Sequence, residues 1–310
     1  KAFGDGQMMV EKLVERPRHI EVQVLADNHG QVACLFEREC SIQRRHQKVV
    51  EEAPSPIMTD ELWQRMREAT IKLIQAAEYT GAGTVEFMLD ESSGEFYFLE
   101  VNARLQVEHP VTEAITGVDL VQWQLRISSG ERLEISTSLM EGDRTAINGH
   151  AIETRIISED PAKGFLPSIG TVVGWAPASG PGVRVDTGFV EGDEVSRFYD
   201  SLLAKLIVQA ENRSSALRRM ENALQDFHVL GVNTNISYVL DVCSHTGFKN
   251  AEFDTGFLDR EFADWSDTSD LPAELGDLLA FAAPSVTASK KSEQASHTPA
   301  WGELDSFRNA

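Results

Sequence analysis

The chain has 310 residues, 42% of them hydrophobic and 25% charged, with a formal net charge of −21. That length allows about two globular domains, and charge of this sign argues against general binding to nucleic acid or anionic membranes. No apolar run approaches the ~18 residues of a membrane span, and the N-terminal KAFGDGQMMVEKLVERP lacks the apolar core of a signal peptide.

In chain order, MMVEKLV is expected to start as a strand with no turn or capping signal before it, as though cut from a longer polypeptide. HIEVQVLAD and QVACLFE flank the turn DNHG and predict a hairpin. On its first strand His19, Glu21 and Gln23 share one face, and Ile20, Val22 and Val24 share the other. Arg38, Arg44, Arg45, His46 and Lys48 then cluster within eleven residues. Such a patch on an acidic protein suits a confined anionic ligand. Leu62, Met66, Ala69, Leu73 and Ala77 recur at helical spacing from Asp60 to Glu78, with Thr59 as N-cap and Gly81 beyond the end. Val118 to Ser129 predicts a second helix closed by Gly130. Residues 130 to 148 are polar and weakly patterned, and read as a domain boundary. Beyond them, TVVGW, VRVDTG and AKLIVQA predict strands. A helix from about Ser215 to Gln225 has Ser214 as its expected cap and Ala216, Leu217, Met220, Ala223 and Leu224 as its apolar face. Cys34, Cys40 and Cys243 form neither a disulfide framework nor a CxxC metal pair, and read as small buried hydrophobes in a reducing compartment.

The most informative stretch is GAGTVEFMLDESSGEFYFLEVNARLQVEHPVTE, residues 81 to 113. Thr84 to Asp90 and Glu95 to Val101 flank the turn-rich DESSG and predict a hairpin. A turn near Ser93 sets Glu86 directly opposite Glu100. Opposed like charges destabilise a sheet, so a cation between them is expected, and oxygen ligands suit a hard ion such as Mg²⁺ or Mn²⁺. A structural carboxylate pair sharing one proton is the plainer reading. Glu100, Asn102, Arg104, Gln106 and Glu108 then alternate, and in an extended chain they share one face at ~6.6–6.8 Å spacing. That row offers metal ligands, a guanidinium fork for a small anion and a carboxylate able to act as a base. An edge strand with a solvated polar face is the alternative, and Phe96 and Phe98, in register with the carboxylates, speak against it.

EFYFLEVNARLQVEHPVTE resembles the signature of the biotin carboxylases, the ATP-grasp component of biotin-dependent carboxylases. ERECSIQRRHQKVVEEAP (37 to 54) and GHAIETRIISEDP (149 to 161) resemble two further stretches of that family, in the same order. The likeness runs from residue 1 to about 262 and is nearest to acyl-CoA carboxylase α subunits of the propionyl or methylcrotonyl type. It implies an α+β fold: the C-terminal part of an ATP-grasp fold, then a biotin carboxylase C-terminal domain. The implied divisions are 1–14, the end of the lid; 15–147, the ATP-grasp core; 148–262, the C-terminal domain; and 263–310, an acidic, low-complexity linker with the start of a further domain.

The implied activity is ATP-dependent carboxylation of biotin by bicarbonate through carboxyphosphate, with another ATP-grasp ligase or a catalytically incompetent piece as alternatives. Residue by residue, the resemblance makes Glu86, Glu100 and Asn102 the metal ligands. Glu11, Lys12, His19, Gln43 and His46 become nucleotide contacts, and Lys48, Arg104, Gln106 and the backbone of Val107 a bicarbonate pocket. Glu108 becomes the general base, and Arg155 the group that stabilises the enolate-like oxygen of biotin. Plainer readings are a surface ion pair for Arg104, a helix-start carboxylate for Glu108 and a surface pair with Glu153 for Arg155. Strand alternation sets Gln43 on the face opposite His46 and Lys48, so a bulge is required if all three touch one ligand. Tyr199 and Asp200 fall in a family-like stretch near the biotin end. The family's N-terminal domain and most of its lid, with the Gly-rich loop and lysines that hold the phosphates, are expected to be absent, leaving weak nucleotide binding and little turnover. No biotinylation motif is present, so biotin is expected to arrive covalently on a carrier domain. A carboxyltransferase subunit, homo-oligomerisation of the intact protein and a cytoplasmic or mitochondrial-matrix location complete the expectation.

Overall fold

The computed structural model describes residue 6, residues 8 to 10 and residues 12 to 267. Glu11 and the acidic stretch beyond residue 267 lie outside the described residues. The expected strand over MMVEKLV does not form: Met8, Met9, Val10 and Leu13 are irregular and exposed. Apolar residues alone do not make a strand without a ladder to join, and the next strand in sequence is already paired on both sides.

That strand, β1 (Pro17–Ala26), is antiparallel to β2 (Val32–Arg44), and β2 pairs with β3 (Gln47–Ala53). Helix α1 (Asp60–Ala76) follows, its Thr59 side chain accepting from the Leu62 N–H as the sequence predicts. Its buried face differs: Trp63, Met66, Thr70 and Ile74 are buried, whereas Ala77 is exposed. Trp63 decides the rotation, because its indole stacks near Phe36 at 5.5 Å and donates to the Gly142 carbonyl at 2.8 Å. β4 (Gly81–Asp90) and β5 (Glu95–Asn102) form the predicted hairpin, with β4 also paired to β1. Helices α2 (His109–Thr116) and α3 (Leu120–Ser128) come next, then a short α4 (Thr137–Glu141) within the connection expected to be unpatterned.

β6 (His150–Ile157) returns the chain to the same sheet beside β3. Gly149 precedes it with φ 70°, and a Cβ there would meet the Ala210 carbonyl oxygen at 2.1 Å, so the entry tolerates only glycine. The sheet has eight strands in the order Val183–Thr187, Leu202–Ala210, β6, β3, β2, β1, β4, β5. It therefore runs unbroken across the boundary expected at residues 130 to 148. TVVGW is not one strand: Gly170–Thr171 and Gly174–Ala176 join two separate small ladders. Helices α5 (Arg213–Gln225) and α6 (Ile236–Ser244) cover the β6 end of the sheet. The apolar face of α5 is the predicted one, but its cap is Asn212, whose side chain accepts from the Ser215 N–H; Ser214 lies inside the helix.

Two cores result. One packs Ile20, Val22, Val24, Val85 and Phe87 against α1, α2 and α3; the other packs Ile152, Ile156 and Leu206 against α5 and α6. Cys34, Cys40 and Cys243 are buried and unpaired, as expected.

Candidate active site

Strand alternation brings charge inward on the face of the sheet away from α1. His19, Glu21 and Gln23 of β1 are at most 8% exposed, although Ile20, Val22 and Val24 between them form the core. Burying them is tolerable only because each is partnered. Arg38 of β2, with 0% exposure, lies at the centre. It donates to Glu21 Oε2 at 3.0 and 3.2 Å, Gln23 Oε1 at 2.7 Å, the Thr84 and Thr112 hydroxyls at 3.1 Å and Gln106 Oε1 at 2.6 Å. A planar fork with five N–H groups serves this many acceptors; a lysine would not. Gln106 passes the constraint on, donating to Glu86 Oε1 at 2.6 Å.

The expected opposition of Glu86 and Glu100 is present, and the Asn102 amide donates to Oε1 of both, at 2.7 and 3.1 Å. A register shift follows at once: Phe87 pairs with Phe98. The two phenylalanines credited with sharing the carboxylate face instead stack on Phe87, with ring centroids 5.3 and 6.4 Å away for Phe96 and Phe98. The bulge turns Glu100 and Leu99 to the other face, where both line a cavity. Burial would raise the Glu86 carboxyl, but the His19 hydrogen bond at 2.7 Å and the Lys48 charge hold it down to about 2. For His19 burial opposes the proton, while Glu86 and Glu21 outweigh it and raise the pKa.

The extended polar row ends earlier than expected. β5 stops at Asn102, and residues 103 to 108 form a turn into α2. Arg104, Gln106, Val107 and Glu108 still line the same cavity, because the turn curls them over it. Arg104 is exposed and donates to the Leu105 carbonyl at 3.3 Å. Glu108 occupies the residue before α2, yet its side chain caps no helix N–H. It reaches inward, 1% exposed, and accepts from Lys48 Nζ at 2.6 Å and Arg155 Nη2 at 3.0 Å.

The β2–β3 connection is a two-residue turn with Arg45 and His46 both at positive φ, 49° and 65°. That geometry normally selects Gly or Asn, so holding Arg and His there is a strain of the kind found at ligand sites. Register shifts in β2 before Gln43 supply the required bulge, and Gln43, His46 and Lys48 line one cavity with His19. Lys48 also pairs with Glu21 and lies 3.3 Å from Glu86 Oε1. Burial works against its charge, whereas Cys40 and the carboxylates of Glu21, Glu108 and Glu86 favour it, so the ammonium is held protonated. Lys12 lies elsewhere, donating to the Tyr97 hydroxyl at 2.5 Å, and does not line the cavity.

Arg155 does not form the surface pair with Glu153. It is bridged between Glu51 Oε1 at 2.7 Å and Glu108 Oε2 at 3.0 Å. A second cavity, of about 570 Å³, opens on its other side, with Arg44, Phe165, Phe189, Tyr199 and Asp200 in its walls. The two cavities share Gln47, Lys48, Val107 and Arg155, and the first holds about 490 Å³. Both volumes suit small-molecule ligands. The arrangement thus joins a carboxylate-lined compartment to a second compartment through a Lys48–Glu108–Arg155 gate. Glu21 and Glu51 were not expected in the site, and Arg38 was expected only as one of a basic cluster suited to a confined anion. Their signal was charge set among apolar strand residues, isolated for Glu21 and contiguous in Glu37–Arg38–Glu39 and Glu51–Glu52, which a buried strand carries only for a reason.

Among the described residues no helix is long and apolar enough to cross a membrane. Residues 1–136 match the family model described as carbamoyl-phosphate synthase L chain, ATP binding domain, and residues 153–260 match the biotin carboxylase C-terminal domain. The α subunit of mitochondrial methylcrotonoyl-CoA carboxylase from Oryza sativa subsp. japonica is 47% identical over 269 residues, 86% of this chain and 36% of that protein. Biotin carboxylase 2 of Bacillus subtilis (strain 168) is 48% identical over 256 residues, 83% of this chain and 56% of that protein. The biotin carboxylase domain of Hydrogenobacter thermophilus 2-oxoglutarate carboxylase, solved with MgADP, ADP and bicarbonate, superposes with a TM-score of 0.78 at 45% identity, covering 83% of this chain and 56% of that one. The chain thus spans between about a third and just over half of the curated relatives it matches. The ATP-grasp sheet, the C-terminal domain match and these relatives together show that the chain belongs to the biotin carboxylase family.

Proposed function

We propose that the protein carrying this chain carboxylates biotin with bicarbonate at the expense of ATP. The observation that carries this reading is the gate: one buried carboxylate, Glu108, held between Lys48 and Arg155 where the two cavities meet. The carboxylate-lined cavity takes the nucleotide, with His19, Gln43 and His46 around it. Glu86, Glu100 and Asn102 fit a hard divalent cation: two carboxylates converge on one amide, and turning that amide would present a third oxygen. Bound there with ATP, Mg²⁺ or Mn²⁺ would neutralise charge on the phosphate oxygens.

Lys48, Arg104, Gln106 and the Val107 backbone hold bicarbonate. Each Glu108 oxygen keeps a second lone pair beyond its cationic partner, so Glu108 takes the bicarbonate proton. The freed oxygen attacks the γ-phosphorus, the bond to the β-phosphate oxygen breaks, and ADP and carboxyphosphate form. Carboxyphosphate loses its C–O bond to give CO₂ and phosphate, and the phosphate accepts the N1 proton of biotin. Arg155 stabilises the resulting ureido oxygen anion while the nitrogen captures CO₂. Positioning and fixed charge do most of this work. Biotin enters the second cavity, past Tyr199 and Asp200, on a carrier domain, and a carboxyltransferase subunit uses the product. The intact protein is taken to be a homo-oligomer. The chain divides into nucleotide and C-terminal parts in the connection before Gly149. The location is the cytoplasm, or the mitochondrial matrix, with which a relative named as mitochondrial accords.

Glu108→Gln keeps shape but not basicity. Bicarbonate-dependent ATP cleavage should fall by ~10²–10⁴ with ATP affinity retained; near-normal turnover would remove Glu108 from the reaction.

A further inference from the structure

We propose that Glu51 and Glu153 hold one proton between them beneath Arg155, and that this shared-proton pair is the positioning element that fixes the Arg155 guanidinium for the biotin step. The inference rests on the function proposed above for Arg155, and its geometry is independent of it. Glu51 on β3 and Glu153 on β6 are directly opposed in the sheet register, and both are 0% exposed. Cβ atoms of such a pair lie ~4.5–5.5 Å apart, within reach of a carboxyl–carboxylate hydrogen bond. Among the described residues, neither oxygen of Glu153 has a hydrogen-bond partner, and Oε2 of Glu51 has none.

Two buried, opposed carboxylates with three orphaned oxygens are not a stable arrangement. The cations that face them are already engaged. Arg155 on β6 is shared between Glu51 and Glu108, Lys48 on β3 serves Glu21 and Glu108, and Lys205, on the strand Leu202–Ala210, donates to the Val107 carbonyl at 2.9 Å and lies 3.4 Å from Asp186. Glu108 itself, at the start of α2, adds negative charge. One proton between the two carboxyls removes the repulsion and gives orphaned oxygens on both residues a partner. Burial raises both groups, Glu153 furthest, which accords with a proton retained at neutral pH.

The consequence for Arg155 is geometric. Its Nε is anchored by Glu51 Oε1 from behind, while Nη2 faces Glu108. When Glu108 takes a proton it weakens its hold on the guanidinium, and Glu51 keeps the guanidinium in place. With both acids ionised the charge behind Arg155 would double; with both neutral the anchor would be lost. A shared proton sets the intermediate state.

The test is infrared spectroscopy of the full chain at neutral pH, with biotin kinetics in the protein that carries it. The wild type should show the carbonyl band of a protonated, buried carboxyl. Glu153→Gln should abolish it, because Glu51 keeps Arg155 and ionises, whereas Glu51→Gln should shift it, because Glu153 stays buried without a cation and keeps its proton in a changed hydrogen bond. Absence of the band in wild type, its survival in Glu153→Gln, or an unshifted band in Glu51→Gln would overturn the shared proton. Glu51→Gln should also lower kcat/KM for biotin by roughly ten- to a hundredfold through misplacement of Arg155, with ATP affinity unchanged. Unchanged biotin kinetics would overturn the positioning role. Arg155→Gln separates the two levels: if it leaves biotin-dependent turnover intact, the proposed role of Arg155 falls, while the infrared result on the pair stands.

Discussion

Arg38 is the residue on which the buried half of the site depends, and replacing it by Met tests that dependence while keeping side-chain length. The guanidinium is wholly buried and makes two hydrogen bonds to Glu21 and one each to Gln23, Thr84, Thr112 and Gln106. Removing one partner of a buried ion pair costs about 3–5 kcal/mol, because the other charge is left behind. Glu21 retains Lys48 and has His19 at 3.5 Å, which moderates that figure. The two threonine hydroxyls can turn to other acceptors, but the Gln23 and Gln106 carbonyl oxygens cannot donate, and orphaning either adds ~1–3 kcal/mol. About 4 kcal/mol is therefore expected, a large part of the 5–15 kcal/mol that holds a domain together. Denaturant unfolding of the full chain measures it. Arg38→Lys should recover less than half, since an ammonium keeps the charge but not the planar fork. A loss below ~1 kcal/mol for Arg38→Met would refute the reasoning and show that water or a rearranged network replaces the guanidinium.

Further outcomes follow from the same network. Glu86→Gln removes a charged ligand and the partner of His19, so metal-dependent ATP binding should weaken by roughly ten- to a hundredfold, measured by calorimetry, with biotin KM nearly unchanged; equal ATP binding would remove Glu86 from the metal site. Glu52 accepts from His150 at 2.6 Å and Arg213 at 2.7 Å, and despite burial these hold its carboxyl down to about 2 from 4.5. A carboxyl depressed on folding stabilises fully above the unfolded value and loses that contribution as pH falls through the folded one. The wild type should therefore exceed Glu52→Gln by roughly 3 kcal/mol near neutrality, and the gap in Tm should close between about pH 4.5 and pH 2. A gap independent of pH would show that packing, not charge, is what Glu52 supplies.

How much of this was legible in the sequence depends on whether the signal was local. Hairpins announced by alternation and turn residues formed where expected; Glu86 did face Glu100, but only because a bulge beside Phe87 adds one residue to the register set by the turn, which alone would place it opposite Leu99. The α5 face was also legible, since five apolar residues at helical spacing admit one orientation. What failed required partners distant in sequence. MMVEKLV looks like a strand until one asks what it pairs with. The α1 stripe rotates because Trp63 finds Phe36 and Gly142. Glu153 reads as a surface partner of Arg155 from their spacing, yet β3 and the strand Leu202–Ala210 bury it from both sides. The row from Glu100 to Glu108 reached the correct cavity by the wrong route, through a turn and not a strand. Chemistry selected those residue types, and more than one backbone path delivers them.

In the proposed reaction a bicarbonate oxygen, freed by Glu108, attacks the γ-phosphorus of ATP. Turnover by the protein that carries this chain, in bicarbonate labelled with heavy oxygen, tests it most directly through the mass of the phosphate released. Each phosphate should carry one labelled oxygen, because carboxyphosphate breaks at its C–O bond and the bridging oxygen stays on phosphorus. Phosphate without label, produced at the full biotin-dependent rate, would mean that water attacks ATP instead and that Glu108 activates no bicarbonate.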